Sequence, residues 1–260
     1  MHFTDEDLER YARHIVLREV GGAGQAKLRQ SRVLVIGAGG LGSPAILYLA
    51  AAGVGTIGIV DFDVVSLSNL QRQIAHKTAD IGRFKTESAV ETAHAINPHV
   101  AFEPYRVRLG ADNAEGIIGR YDVVADGSDN FATRFLVADA CFLAGKTLVS
   151  AAISEFSGQL STFKTGGPCY RCLFPEPPPA ETVRSCTETG VLGAATGVMG
   201  TLMALEVIKE ITGAGDSMAG RLLIYEALEA RFRTVTLKRD PECALCGAAP
   251  RYRDLSHHRA

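Results

Sequence analysis

Between Val33 and Val60 the chain runs for 28 residues without a formal charge, and seven glycines fall inside that run. Hydropathy alone would let such a stretch cross a bilayer. The glycines instead cut it into a short strand, a turn, a helix, a turn and a second strand, which is the pattern of a fully buried βαβ unit. The expected pieces are strand Arg32 to Ile36, helix Ser43 to Ala52 and strand Thr56 to Val60. Two strands joined through a helix must run parallel, so the chain is committed to a parallel sheet. A second apolar run, Val191 to Ile208, contains Glu206 and three glycines, and is read as a buried core helix.

The alternation continues with helix Lys85 to Ile96, an apolar run Val100 to Val107, helix Ala111 to Ile118, strand Asp122 to Ala125, helix Asn130 to Leu143 and strand Thr147 to Ala151. The expected class is α/β, a doubly wound, mostly parallel, Rossmann-like sheet. After Ala152 the segments QLSTFKT and RLLIYEALEARFRTVTLKR read as antiparallel strands. Between them, Pro177 to Pro179 mark a loop. At the N-terminus Thr4 caps a helix whose stripe is Leu8, Tyr11, Ala12, Ile15 and Val16, with Arg13 off the stripe and Gly21, Gly22 and Gly24 ending it. The tail RYRDLSHHRA reads as frayed.

The 27 Lys plus Arg against 29 Asp plus Glu leave a net charge of −2, which argues against binding nucleic acid or an anionic membrane through bulk charge. At 47% apolar and 22% charged residues, the chain can bury a large core. MHFTDEDLERYARH lacks the apolar region of a secretory signal, so a cytoplasmic location is expected.

GAGGLG places Gly37, Gly39 and Gly42 on the GxGxxG spacing between a strand and a helix, where backbone can approach a phosphate at a helix N-terminus. The alternative is tight helix-to-sheet packing. Asp61, 19 residues beyond Gly42 at the end of the next strand, can accept both hydroxyls of a ribose. Asn69 and Arg72 follow, then Lys85, and these cations suit ATP better than NAD, because a triphosphate needs charge compensation. As a bland alternative, Arg72 and Lys85 belong to a solvated helix face. In DGSDN, Asp129 and Asn130 sit at the strand's carboxyl edge beside Asp126; Asp129 suits Mg²⁺ or, alternatively, an N-cap, and Asp126 is read as structural.

The pairs Cys169/Cys172 and Cys243/Cys246 have 70 residues between them. Four thiolates in two CxxC knuckles read as a closed, structural tetrahedral Zn²⁺ site, with a redox pair as the alternative. Cys141 is read as a small core residue. Cys186, with Arg184 nearby, is either a nucleophile for covalent sulfur or acyl transfer or an ordinary surface cysteine.

GAGGLG, DFDVVSLSNLQRQ, the Lys85 helix, DGSDN, CYRC, SCTETGVLG and CALCG, in that order over nearly the whole chain, resemble the MoeB/ThiF/HesA adenylyltransferases, with the MoeB type closest. The resemblance implies that ATP adenylates the C-terminal glycine of a ubiquitin-like sulfur carrier ending in Gly-Gly, releasing pyrophosphate and preparing a thiocarboxylate. It also implies that Gly40, through its backbone, and Asp61, at the ribose, contact the nucleotide, that Asn69, Arg72 and Lys85 form the phosphate-binding set, with Ser68, Leu70, Gln71 and Asn130 among the cofactor-binding residues, and that Asp129 is the Mg²⁺-linked residue. By the same resemblance, Arg13 enters the neighbouring site of a homodimer, Cys169, Cys172, Cys243 and Cys246 bind zinc, and Cys186 matches a transfer cysteine. One domain is expected: an N-terminal helical segment 1–30, a nucleotide-binding core 31–152, a carrier-binding and zinc region 153–250, and a tail 251–260. Met203 stands where relatives often carry Gln. With no rhodanese-like extension, sulfur is expected from a separate desulfurase or rhodanese. Molybdopterin synthesis, thiamine synthesis, tRNA thiolation and cysteine synthesis all remain open as pathways. The competing readings are an NAD-dependent oxidoreductase and a noncatalytic zinc-stapled scaffold.

Overall fold

The computed structural model describes residues 3–179 and 189–259. Its centre is an eight-stranded sheet in the order β3-β2-β1-β4-β5-β6-β7-β8. The strands are β1 (Arg32–Ile36), β2 (Thr56–Val60), β3 (Ala101–Tyr105), β4 (Val123–Asp126), β5 (Thr147–Ser154), β6 (Ser157–Phe163), β7 (Arg221–Glu226) and β8 (Arg231–Thr236). The first five are parallel, and β6, β7 and β8 continue antiparallel.

Side chains alternate faces along a strand, and both faces are covered. Val33, Val35, Ile57, Ile59, Val123, Ala125 and Val149 face one core, built with α3 (Gly21–Gln30), α4 (Gly42–Ala52), α5 (Lys85–Ile96) and α9 (Gly193–Thr212). Leu34, Ile36, Val124 and Leu148 face the other, with α6 (Ala114–Ile118), α7 (Phe131–Leu143) and α8 (Tyr170–Leu173). Two-sided burial explains why these strands lack polar alternation. Cys141 sits in the second core, buried. Met203 is fully buried in the first, so its thioether fills core space, a role that Met's flexibility suits.

The chain departs from the expected elements at both ends. Thr4 does cap a helix, α1 (Asp5–Arg10), through a reciprocal box with Asp7. That helix breaks at Tyr11, and α2 (Ala12–Ile15) follows. Tertiary contacts win over local propensity there: the Tyr11 ring lies against Gly53, and its hydroxyl accepts from Asn97 Nδ2 at 2.8 Å. Gly21, Gly22 and Gly24 lie in the first turn of α3 rather than ending the first helix. Of the expected stripe only Tyr11 is buried; Leu8 and Val16 are exposed.

The tail is docked, not frayed. Leu255 is buried in the second core, and His257 Nε2 and His258 Nε2 each lie 2.8 Å from the fully buried Asp139 Oδ2. Its polarity hid this, because the partner carboxylate is more than a hundred residues away in sequence. No helix among the described residues is long and apolar enough to cross a membrane.

Candidate nucleotide site and cysteine centre

The order β3-β2-β1-β4 means that the chain winds outward from β1 and then returns to β1's other side as β4. That reversal opens a crevice beyond the carboxyl ends of β1 and β4. A cavity open to solvent lies there. Its walls include Gly37, Gly39 and Gly40 after β1, Asp61 after β2, Arg72, Lys85 at the start of α5, and Asp129 and Asn130 after β4.

The glycine turn is closed by contact as well as by conformation. A Cβ at Gly42 would stand 1.7 Å from the Gly37 carbonyl oxygen, so no side chain fits where α4 begins. Gly193, at the start of α9, meets the Gln71 carbonyl in the same way, at 2.1 Å. This lets α9 press on the segment that carries Arg72.

Asp61 is held by two backbone donors. Ala38 N donates to its Oδ2 at 2.9 Å and Asp63 N to its Oδ1 at 2.8 Å, so the carboxylate is fixed in the cavity wall. Lys85 is buried, and its Nζ donates to Asp63 Oδ2 at 2.9 Å. The Arg72 guanidinium donates to the Ser68 carbonyl at 2.9 Å. Asp126 is fully buried and accepts from Ser128 N at 3.0 Å, as a structural carboxylate would. The cap of α7 is Asn130, whose Oδ1 accepts from Thr133 N at 2.9 Å. The alternative role of Asp129 as that cap is thereby overturned, because the helix amide is already satisfied one residue later. Asp129 lines the cavity, and its Oδ1 accepts from Asn130 Nδ2 at 3.4 Å.

Several expected binding residues do not line this cavity. Gly42 is consumed by packing. Ser68, Leu70 and Gln71 lie outside the wall. Asn69 Oδ1 accepts from Ser66 N at 3.2 Å. Arg13 is exposed on α2, away from its own chain's cavity. Cys186 and Arg184 lie outside the described residues.

Sequence reasoning missed Gln73, Ser128, Arg134, Thr196 and Arg108, all in the wall. Gln73 Oε1 and Ser128 Oγ are buried without a hydrogen-bond partner. Such orphaned atoms cost free energy unless a ligand or water serves them, and both motifs that carry them had been singled out for other residues. His76 was missed too. It is buried with Nε2 2.9 Å from the Ala38 carbonyl and Nδ1 2.9 Å from Ser88 Oγ, and burial pushes its imidazole pKa down. It buttresses the glycine turn from below.

At the cysteine centre, Cys169 Sγ and Cys243 Sγ are 3.5 Å apart, Cys172 Sγ and Cys246 Sγ 3.3 Å, and Cys169 Sγ and Cys172 Sγ 3.9 Å. All four sulfurs fall within 4.8 Å of one another. Sulfurs on a tetrahedral zinc, each about 2.3 Å from the ion, are roughly 3.8 Å apart, so the quartet fits that ion closely. None of the four forms a disulfide. Asp240 N reaches Cys172 Sγ at 3.4 Å, the amide-to-sulfur contact that supports a thiolate ligand.

Asp139, His257 and His258 also converge. Arg171 already takes both Asp139 oxygens, at 2.9 and 2.7 Å, and a guanidinium in that position repels a second cation. The cluster is therefore a buried ion network. Burial pushes the Asp139 carboxyl up, but hydrogen bonds from His258, Arg171 and His257 outweigh it and hold it below the usual carboxylate range.

The ThiF family model matches residues 11–245. The chain is 48% identical to a sulfur carrier protein adenylyltransferase of Thermus thermophilus, covering 100% of this chain and 98% of that one. It is 52% identical to the adenylyltransferase and sulfurtransferase MOCS3 of Bos taurus over 97% of this chain, but spans only 56% of that relative's length. It is 49% identical to the SAMP-activating enzyme E1 of Haloferax volcanii, covering 92% and 89%. Among solved structures, E. coli MccB with MccA-N7isoASN superposes with a TM-score of 0.81 at 20% identity, over 92% of this chain and 74% of that one; at that identity the likeness shows the fold alone. With the glycine turn, the cation-lined crevice and the cysteine quartet in place, the matched span settles the lineage: the chain belongs to the ThiF family.

Proposed function

We propose that this chain is an adenylyltransferase that uses ATP to activate the C-terminal glycine carboxylate of a ubiquitin-like sulfur carrier. The observation that carries the reading is the pairing, in one crevice, of a ribose-directed carboxylate, Asp61, with two cations, Arg72 and Lys85. A hydride-transfer enzyme has no use for those cations beyond the pyrophosphate, and relatives named for adenylation share the family.

The chemistry asks little of a base. The carrier's carboxylate is ionised at neutral pH, and one of its oxygens attacks the α-phosphorus of ATP. As that bond forms, the bond from the α-phosphorus to the bridging oxygen breaks, and pyrophosphate leaves with the electron pair. The barrier is the approach of one anion to another. Arg72 and Lys85 offset that repulsion and the charge that develops on the leaving group, while Asp61 and the glycine turn hold the nucleoside. Mg²⁺ would be held by Asp129, whose Oδ1 also accepts from Asn130 Nδ2, and when bound it would neutralise phosphate charge.

Zinc is proposed as the structural tie among Cys169, Cys172, Cys243 and Cys246; with all four ligands from sulfur, no position is left for catalysis. Arg13 is assigned to the ATP site of a partner subunit in a homodimer. Sulfur is assigned to a separate donor, with Cys186 as a candidate transfer residue. ATP–pyrophosphate exchange in the presence of a Gly-Gly carrier is the test. Exchange that needs both ATP and the terminal carboxylate supports the reading; absence of exchange with every molybdopterin-, thiamine- or tRNA-thiolation-type carrier sinks it, and quenching by a nicotinamide nucleotide would favour the oxidoreductase.

A further inference from the structure

The Lys85 ammonium does not sit free in the crevice. Its side chain is 8% exposed and its Nζ is bonded to Asp63 Oδ2 at 2.9 Å, whereas the Asp63 side chain is 51% exposed. The two residues are tied twice, because Lys85 N also donates to the Asp63 carbonyl at 3.0 Å. Asp63 N in turn donates to Asp61 Oδ1, and Ala38 N to Asp61 Oδ2. A continuous run of short bonds thus links the glycine turn, the ribose carboxylate, Asp63 and the lysine.

We propose that Asp63 is the positioning residue of the phosphate site: its carboxylate occupies one of the three Lys85 ammonium donors and aims the other two at the nucleotide's phosphate oxygens. The assignment rests on the ATP reading above and adds a group outside the set expected to touch ATP. Two physical effects oppose each other at this position. As an anion beside a polyphosphate, Asp63 repels the ligand. As the anchor of a flexible four-carbon side chain, it spares the ligand the entropy of ordering that chain. Burial of Lys85 decides between them: a lysine already enclosed and aimed loses little freedom on binding, and its charge acts at close range. The anchoring effect therefore wins.

The two effects predict opposite signs, and calorimetric titration of the intact zinc-loaded protein with ATP and with adenosine separates them. Asp63→Asn keeps the shape and removes the charge at a half-exposed position, so its melting curve should match the unsubstituted protein's. The expected result is ATP binding weakened about five- to tenfold, adenosine affinity changed less than about twofold, and the ATP effect abolished in a Lys85→Met background. Tighter or unchanged ATP binding in Asp63→Asn overturns the proposal, because repulsion would then dominate. Equal weakening for adenosine also overturns it, since the damage would lie at Asp61, as does an undiminished effect in Lys85→Met. Binding that follows the expected pattern without pyrophosphate exchange would remove the enzymatic reading and leave Asp63's role intact.

Discussion

At the scale of single residues, the proposed function divides the side chains of the crevice into those that would offset charge and those that permit close approach. Arg72 and Lys85 are assigned to the first kind, and Arg72→Ala should lower the exchange rate by roughly 10² to 10³-fold, the usual cost of removing one preorganised electrostatic group, with the melting temperature unchanged. Gly42 is of the second kind. Gly42→Ala drives a methyl into the Gly37 carbonyl at 1.7 Å, so the turn must open, and both nucleotide affinity and thermal stability should fall together. Outside the crevice, Glu103 offers a clean pH signature. Burial pushes its carboxyl up, but hydrogen bonds from Tyr121 at 2.6 Å, Arg32 at 2.7 Å and Tyr105 at 3.1 Å hold it at about 2. A depressed carboxyl stabilises the fold in full above its unfolded value, and that contribution is lost as pH falls from about 4.5 toward 2. Glu103→Gln should therefore flatten the acid limb of stability against pH, measured by denaturant unfolding at a series of pH values, and leave the neutral-to-basic limb parallel to that of the unsubstituted protein.

At the scale of elements, what the sequence made legible was whatever a short window contains. The glycine turn after β1, Asp61 at the end of β2, Lys85 opening α5 and Asp129 after β4 each sit at a strand end or helix start, and strand ends are where a parallel sheet binds ligands. What was illegible depends on elements meeting. Thr196 reaches the cavity because α9 packs over Gly40, and Ser68, Leu70 and Gln71, expected among the cofactor-binding residues, lie outside its wall. The docked tail is the extreme case. Its two histidines had no visible purpose until Asp139 and Arg171 came into place from α7 and α8. Deleting residues 255–260 should cost about 2 to 4 kcal/mol, from the lost charge-assisted hydrogen bonds and the Leu255 burial, and should lower the melting temperature while leaving bound zinc. The cysteine centre predicts the converse: metal analysis should return about one zinc per chain, as one tetrahedral quartet requires, and Cys169→Ser should lose that ion along with the order of the two knuckles.

At the scale of the whole molecule, the role proposed for Arg13 requires a second chain. It is exposed on α2 and absent from its own crevice, and the residues just after it, Val16 and Leu17, expose apolar surface at 75% and 49%. In the homodimer proposed above, an isologous interface would use the same patch of both copies. If each subunit lends Arg13 to the other's nucleotide site, two crippled variants can repair one another. Arg13→Ala lacks only the arginine it lends, and Arg72→Ala only the arginine it keeps. In a mixed dimer, the crevice on the Arg13→Ala chain retains its own Arg72 and receives Arg13 from its partner, while the other crevice lacks both. After equal mixing and full subunit exchange, half the dimers are mixed and each carries one intact site in two, so about a quarter of full activity should return. Either variant alone should stay near its residual rate. Recovery that fails in a preparation proven dimeric by light scattering would confine Arg13 to its own chain, and a monomer that exchanges pyrophosphate at the full rate would dispense with the second copy altogether.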